Sequence, residues 1–150
     1  MAKLYFCNNG DIELQPETLS ILSGMPRGWN VLLNARPANP GGYDREVDAL
    51  IVKESAVHLI EFKFRRYPVV IDAEGYWHSG GSRMENTSRR ESPQEQVLAT
   101  HDAFKQWLAN RGLPKFGLAP WVVLENPNPE NRYGGARFGS IGMSPPERPG

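Results

Sequence analysis

The chain has 150 residues, 39% of them apolar and 23% charged, with 17 Lys and Arg set against 17 Asp and Glu. That is the length of one domain, enough to bury a core and short for two, and its zero formal charge does not announce a phosphate-binding surface, although local clustering outweighs the sum. Its one cysteine, Cys7, excludes an intramolecular disulfide and suits a reducing compartment; the apolar run Leu4–Cys7 is too short for a signal-peptide core, and no stretch approaches the roughly 20 apolar residues of a membrane span, so the expected location is the cytoplasm.

The first element opens at Pro16-Glu17. Proline suits the first helical turn, where its missing N–H is not needed, and an acid there suits the helix dipole. Leu19, Ile21 and Leu22 follow, and Gly24 with Pro26 ends a short helix over 16–24. Residues 29–35 read as a strand and 37–42, with two prolines and two glycines, as a loop. Two apolar strands, 47–52 and 56–64, are separated only by Lys53-Glu54-Ser55, which predicts a hairpin. A smaller hairpin is expected from 69–71 and 76–78 around the turn at 72–75. Residues 79–91 are polar, without an apolar period, and read as a mobile loop.

The second helix is the best-marked element. Ser92-Pro93-Gln94-Glu95 supplies an N-cap serine, a proline at the first helical position and a capping-box glutamate. Val97, His101, Phe104 and Leu108 form one stripe, widened by Leu98 and Trp107, until Gly112 and Pro114 end the helix near 111. A short strand follows at 120–124, then a loop at 126–135 and an edge strand at 138–143. The expected domain is 1–143, with the Pro-rich 144–150 as a tail or linker to a further domain. A hairpin followed by a helical crossover to another strand implies an α/β fold with a mixed sheet and helices on its faces.

The chemistry concentrates on the 47–52 and 56–64 strands. An ionised side chain in a buried strand costs several kcal/mol unless it is paired or binds a metal. Strand alternation sends Glu61 and Lys63 to one face, ~7 Å apart, and His58, Ile60 and Phe62 to the other. If the turn is centred between Glu54 and Ser55, Asp48 lies opposite Glu61 and shares its face. If it is centred on Glu54, Asp48 lies opposite Ile60 and faces away. In the first register two carboxylates and a lysine converge. Two carboxylates with a backbone carbonyl make a hard-oxygen site for magnesium, and a neighbouring lysine can orient water or neutralise charge on a phosphate. The plain competitor is a surface ion pair between Glu61 and Lys63.

Arg65 and Arg66 follow the lysine, and Arg83, Arg89 and Arg90 lie in the 79–91 segment. They read as a phosphate-contacting rim or as a solvated charged loop. His58 faces away from Glu61 and reads as a packed histidine; His78 and His101 lack zinc-ligand spacing. Trp77, Trp107 and Trp121 read as core, and Gly80-Gly81 lacks the flanking pattern of a phosphate loop.

Taken together, Glu46-Val47-Asp48-Ala49-Leu50-Ile51-Val52, His58-Leu59-Ile60-Glu61-Phe62-Lys63, Gly75-Tyr76-Trp77 and Ser92-Pro93-Gln94-Glu95-Gln96 resemble the NERD (nuclease-related) domain, a branch of the PD-(D/E)XK superfamily of restriction-like nucleases. The resemblance covers roughly residues 16–125. It implies a restriction-endonuclease-like, three-layer α/β/α sandwich around a central mixed sheet. It further implies a magnesium- or manganese-dependent endonuclease acting on DNA, in a prokaryotic DNA-processing or anti-phage defence protein. Under it, Asp48 and Glu61 are metal ligands with the carbonyl of Phe62, which favours the first register. Lys63 is the catalytic lysine, and Gln96 faces the metal site or substrate. Glu17 is the best match to a first-helix glutamate that also serves the metal, with Glu13 a weaker one. Arg65, Arg66, Arg89 and Arg90 are the candidate nucleic-acid contacts. Two departures stand out: serine replaces the usual Asn at position 92, and the Gly-Glu opening of the first helix is not evident. Fused or associated helicase or kinase modules and a homodimer that cuts both strands are the implied partners, with no membrane. The rival reading is a non-cleaving nucleic-acid-binding or regulatory module of the same fold.

Overall fold

The computed structural model describes residues 1–7, 14–36, 45–54, 56–112, 117–125, 128 and 130–133. Glu13, the loop expected at 37–42, the edge strand expected at 138–143 and the tail lie outside the described residues. In chain order the elements are β1 (Lys3–Phe6), α1 (Pro16–Ser23), β2 (Asn30–Ala35), β3 (Val47–Val52), β4 (Ala56–Lys63), β5 (Val69–Ile71), β6 (Trp77–Ser79), β7 (Ser82–Arg83), α2 (Pro93–Asn110), β8 (Gly117–Leu124) and β9 (Arg132–Tyr133).

A five-stranded mixed sheet, ordered β1-β2-β3-β4-β8, forms the centre of the fold. β2, β3 and β4 run antiparallel as a meander, while β1 joins β2 and β8 joins β4 in parallel. The parallel return from β4 to β8 is what the α2 crossover makes possible. Alternation along the strands divides the core in two. Leu50, Leu59 and Val122 share one cluster with Val97 and Phe104 of α2 and with Trp77 and Ile71 of the small hairpin. Val31, Leu33, Ala49, Ile51 and Ile60 share the other with Leu22 of α1. Each fully buried Leu or Val contributes ~1.5–3 kcal/mol relative to exposure, so both faces of the central strands are stabilised by burial. No helix among the described residues is long and apolar enough to cross a membrane.

The expected elements recur with small shifts, and four differences have physical causes. β1 comes from the short apolar run near the start, and its partner β2 lies more than twenty residues away along the chain. β8 begins at Gly117, three residues before the apolar run expected at 120–124, because its full length pairs with β4. β9, inside an expected loop, is two residues held by β5. The segment 79–91, read as a mobile loop, contains β7 and a turn built around Asn86. The Asn86 side chain accepts from the backbone N–H groups of Arg89 and Glu91 at 3.2 and 2.9 Å. Glu91 then bonds Arg45 at 2.7 Å, an ion pair that ties the approach to β3 to the approach to α2. Burial alone would raise the Glu91 pKa, yet hydrogen bonds from Arg45 and Asn86 hold it below the usual value.

Candidate active site

The β3–β4 register decides whether the two acids meet. Leu50 pairs with Leu59 and Ala49 with Ile60; one step further, Asp48 lies opposite Glu61. This is the first of the two registers the sequence left open, and the Lys53 N–H closes the turn on the Ala56 carbonyl at 2.9 Å. Leu50 and Leu59 point into the α2-side cluster, so alternation places Asp48, Glu61 and Lys63 on that same face of the sheet.

At this level the backbone ladder gives way to side chains. Asp48 Oδ2 accepts the Phe62 N–H at 2.7 Å. Lys63 Nζ lies 3.3 Å from Glu61 Oε1, and Glu61 is only 5% exposed. The Lys63 carbonyl accepts the N–H of Glu125, on the β8 side, at 2.9 Å. Backbone groups alternate along a strand, so the Phe62 carbonyl turns toward β3, where its N–H already meets Asp48.

The electrostatics follow from this crowding. Burial raises the Asp48 pKa to about 6, against the lowering pull of the Phe62 hydrogen bond and of Lys63; Glu46 and Glu125 raise it further. Burial and then the nearby Asp48 charge raise Glu61 to about 8, in spite of Lys63. One lysine does not offset the acids around it, and the site is short of positive charge.

The other expected site residues are distributed unevenly. Gln96 is half-buried in the first turn of α2, one turn before the buried Thr100, on the helix face turned to the sheet. It therefore shares the α2 side with Asp48, Glu61 and Lys63, without a hydrogen bond to them. Glu17 is exposed in the first turn of α1 and no hydrogen bond or ion pair joins it to those residues among the described ones. Arg65 is half-buried and Arg66 exposed just past β4, while Arg89 and Arg90 are exposed on the turn before α2. His58 faces the other way and accepts the Trp121 indole N–H at 2.8 Å; burial, then Lys53, lowers its pKa.

Two neighbours of the site were missed in the sequence. Glu125 follows Leu124, the partner of Lys63, and its Oε2 accepts both the Gln15 N–H and the Thr18 hydroxyl at 2.8 Å. It thereby supplies the anion at the α1 N-terminus. Asn34 lies opposite Asp48 when the β2–β3 register is continued. It is 9% exposed with φ 53°, a left-handed conformation that Asn tolerates better than most residues. A lone asparagine inside an apolar strand was the only available clue.

The donor set suits a hard divalent cation. Asp48 and Glu61 offer carboxylate oxygens in a buried place short of positive charge, and the Phe62 carbonyl is a further candidate oxygen. No group of three His, Cys, Asp or Glu side chains is gathered in ligating geometry among the described residues. A cation here would complete its shell with water, as magnesium commonly does.

No curated protein and no solved structure matches the chain. Residues 16–124 match the family described as the nuclease-related domain, from the first residue of α1 to the last of β8. With Asp48, Glu61, Lys63 and Gln96 all inside that span, the chain belongs to the NERD (nuclease-related domain) family.

Proposed function

We propose that the domain is a magnesium- or manganese-dependent nuclease that hydrolyses DNA phosphodiester bonds on a three-layer α/β/α, restriction-endonuclease-like fold. The observation that carries this reading is the convergence of two buried acids from adjacent strands with a lysine 3.3 Å from one of them. The division of the core, with Leu22 of α1 on one side and Val97 and Phe104 of α2 on the other, supports the layered fold.

In this reading Asp48, Glu61 and the Phe62 carbonyl hold the cation, which when bound polarises the phosphoryl oxygen and lowers the pKa of water. The chain's own residues do the positioning. The Phe62 N–H fixes the Asp48 carboxylate, and Glu61 holds the Lys63 ammonium beside the place a phosphate would occupy. Lys63 there offsets charge developing on the phosphate. Gln96 borders the same space from α2, and Arg65 and Arg66 contact the flanking phosphates. Glu17, exposed in the first turn of α1, is the further acid proposed to serve the cation, on the helix whose N-terminus Glu125 meets.

The test is to incubate the domain with supercoiled and linear DNA, with magnesium, manganese or EDTA, beside Lys63→Ala. Metal-dependent nicking is expected, abolished by EDTA and reduced by the substitution on the order of a hundredfold or more. No metal-dependent nicking, or equal nicking by Lys63→Ala, would sink the proposal; DNA binding retained without cleavage would favour the regulatory module.

A further inference from the structure

Tyr67 lies four residues past Lys63 and is 58% exposed. Four residues span at most about 14 Å of extended chain, which bounds the distance from the Lys63 backbone to that of Tyr67. An exposed tyrosine is ordinarily free to swing, but this one is seated. A Cβ placed on Gly80 would come within 2.6 Å of Tyr67 Cδ2 and 3.2 Å of Cε2. One side of the ring therefore rests on the bare glycine. The Ser79 hydroxyl also donates to the Tyr67 carbonyl at 3.0 Å, fixing the backbone under the ring.

The turn that carries Gly80 does not by itself demand glycine there. Gly80 and Gly81, with φ 59° and 81°, join β6 to β7 with Ser79 opposite Ser82. A two-residue loop of this hand accepts Asn or Asp at its first position as well as Gly. The Tyr67 ring is the neighbour that excludes a Cβ. Tyr76, 46% exposed just before β6, makes the contrast: its ring is covered by the Arg83 guanidinium at 3.7 Å. Around Tyr67 the chain reads Phe64-Arg65-Arg66-Tyr67, with Phe64 43% exposed and Arg66 exposed. Guanidinium groups flanked by aromatic rings are the chemistry of a strand-binding groove, in which bases stack and phosphates are neutralised.

We propose that Tyr67, seated on Gly80, is a stacking subsite for an unpaired base beside the scissile phosphate, so that single-stranded DNA is the preferred substrate. This rests on the nuclease reading for its substrate class. A base inside a duplex has both faces covered by its neighbours and cannot stack on a protein ring, whereas an unpaired base can. Arg65 and Arg66 hold the phosphates on either side.

The experiment measures fluorescence anisotropy of labelled oligothymidylate, an abasic strand of the same length and a duplex, all in EDTA so that cleavage cannot interfere. The abasic strand keeps every phosphate and loses every base. Oligothymidylate is expected to bind roughly tenfold more tightly than the abasic strand, with Tyr67→Ala removing most of that difference and Tyr67→Phe keeping it. Gly80→Asn, which the turn accepts, is expected to weaken oligothymidylate binding with an unchanged circular dichroism spectrum, and Tyr76→Ala to change nothing. Equal binding of thymidylate and abasic strands, tighter binding of the duplex, no binding at all, or full discrimination by Tyr67→Ala each overturns the subsite. The parallel cleavage assay keeps the two readings separate. Discrimination without metal-dependent cleavage leaves the subsite standing and removes the nuclease; cleavage without discrimination does the reverse.

Discussion

Two acid–base pairs of this domain have nearly the same geometry and opposite electrostatics. Glu61 and Lys63 meet at 3.3 Å with side chains 7% and 20% exposed; Asp72 and His78 meet at 3.0 Å with side chains 31% and 41% exposed. At the second pair the His78 hydrogen bond and the backbone N–H groups of Tyr76 and Glu74 pull the Asp72 pKa down, as for a carboxylate stapling a surface turn. At the first, burial and the neighbouring Asp48 push Glu61 up to about 8 despite its lysine. A short acid–base distance is therefore no mark of function. What sets the proposed site apart is an acid whose ionisation the surroundings oppose, which a cation would relieve.

The comparison can be tested by removing each partner in turn. Glu61→Gln is expected to have the largest effect, lowering nicking on the order of a thousandfold while stabilising the metal-free protein at pH 8. The raised folded-state pKa sets the sign. Below about pH 4.5, the ordinary value, Glu61 is protonated folded and unfolded alike; as pH rises toward about 8 the unfolded chain loses the proton first, so stability falls. Melting curves from pH 4 to 9 should show this decline in the metal-free wild type, with Asp48 contributing in the same direction, and a shallower one in Glu61→Gln. Adding magnesium should restore wild-type stability at the alkaline end and leave the variant nearly unmoved.

A middle case is the Arg45–Glu91 pair, buried like the first but balanced like the second. Glu91→Ala strands an arginine that is 7% exposed, and chemical denaturation should register a loss on the order of 3 kcal/mol. Arg45→Met combined with Glu91→Leu should recover most of it, because the cost lies in the uncompensated charge. The smallest effect is expected from His78→Ala, with nicking unchanged and Tm moved by on the order of 1 °C. A large loss there would erase the distinction between the pairs.

Legibility in the sequence followed the range of the forces. Pro16 and the Ser92-Pro93-Gln94-Glu95 cap act within one helical turn, and both helices lie where those residues put them. The apolar runs of β3 and β4 were equally plain, yet the facing of Asp48 hung on a single residue of register. Glu54 and Ser55 carry no Gly or Asn to fix a turn type, so either centre fitted. What stayed hidden depends on distant partners. β1 is a strand because β2 lies beside it, and Glu125 matters because Gln15 and Thr18 come to it from the other end of the matched segment. The Tyr67 seat was invisible for the same reason, since Gly80-Gly81 alone is only a turn.

The Glu125 contact has a consequence for where the two ends of the matched segment lie. Residues 15 and 125 flank the matched stretch 16–124, and the Gln15 N–H and Glu125 carboxylate are 2.8 Å apart. The chain therefore enters and leaves the family segment at nearly one point, like the two ends of a closed clasp. Neighbouring ends suit insertion into a surface loop of a host protein, but β1, which precedes the matched stretch and edges the central sheet, must travel with it. The closeness of the two ends rests on one carboxylate just past β8.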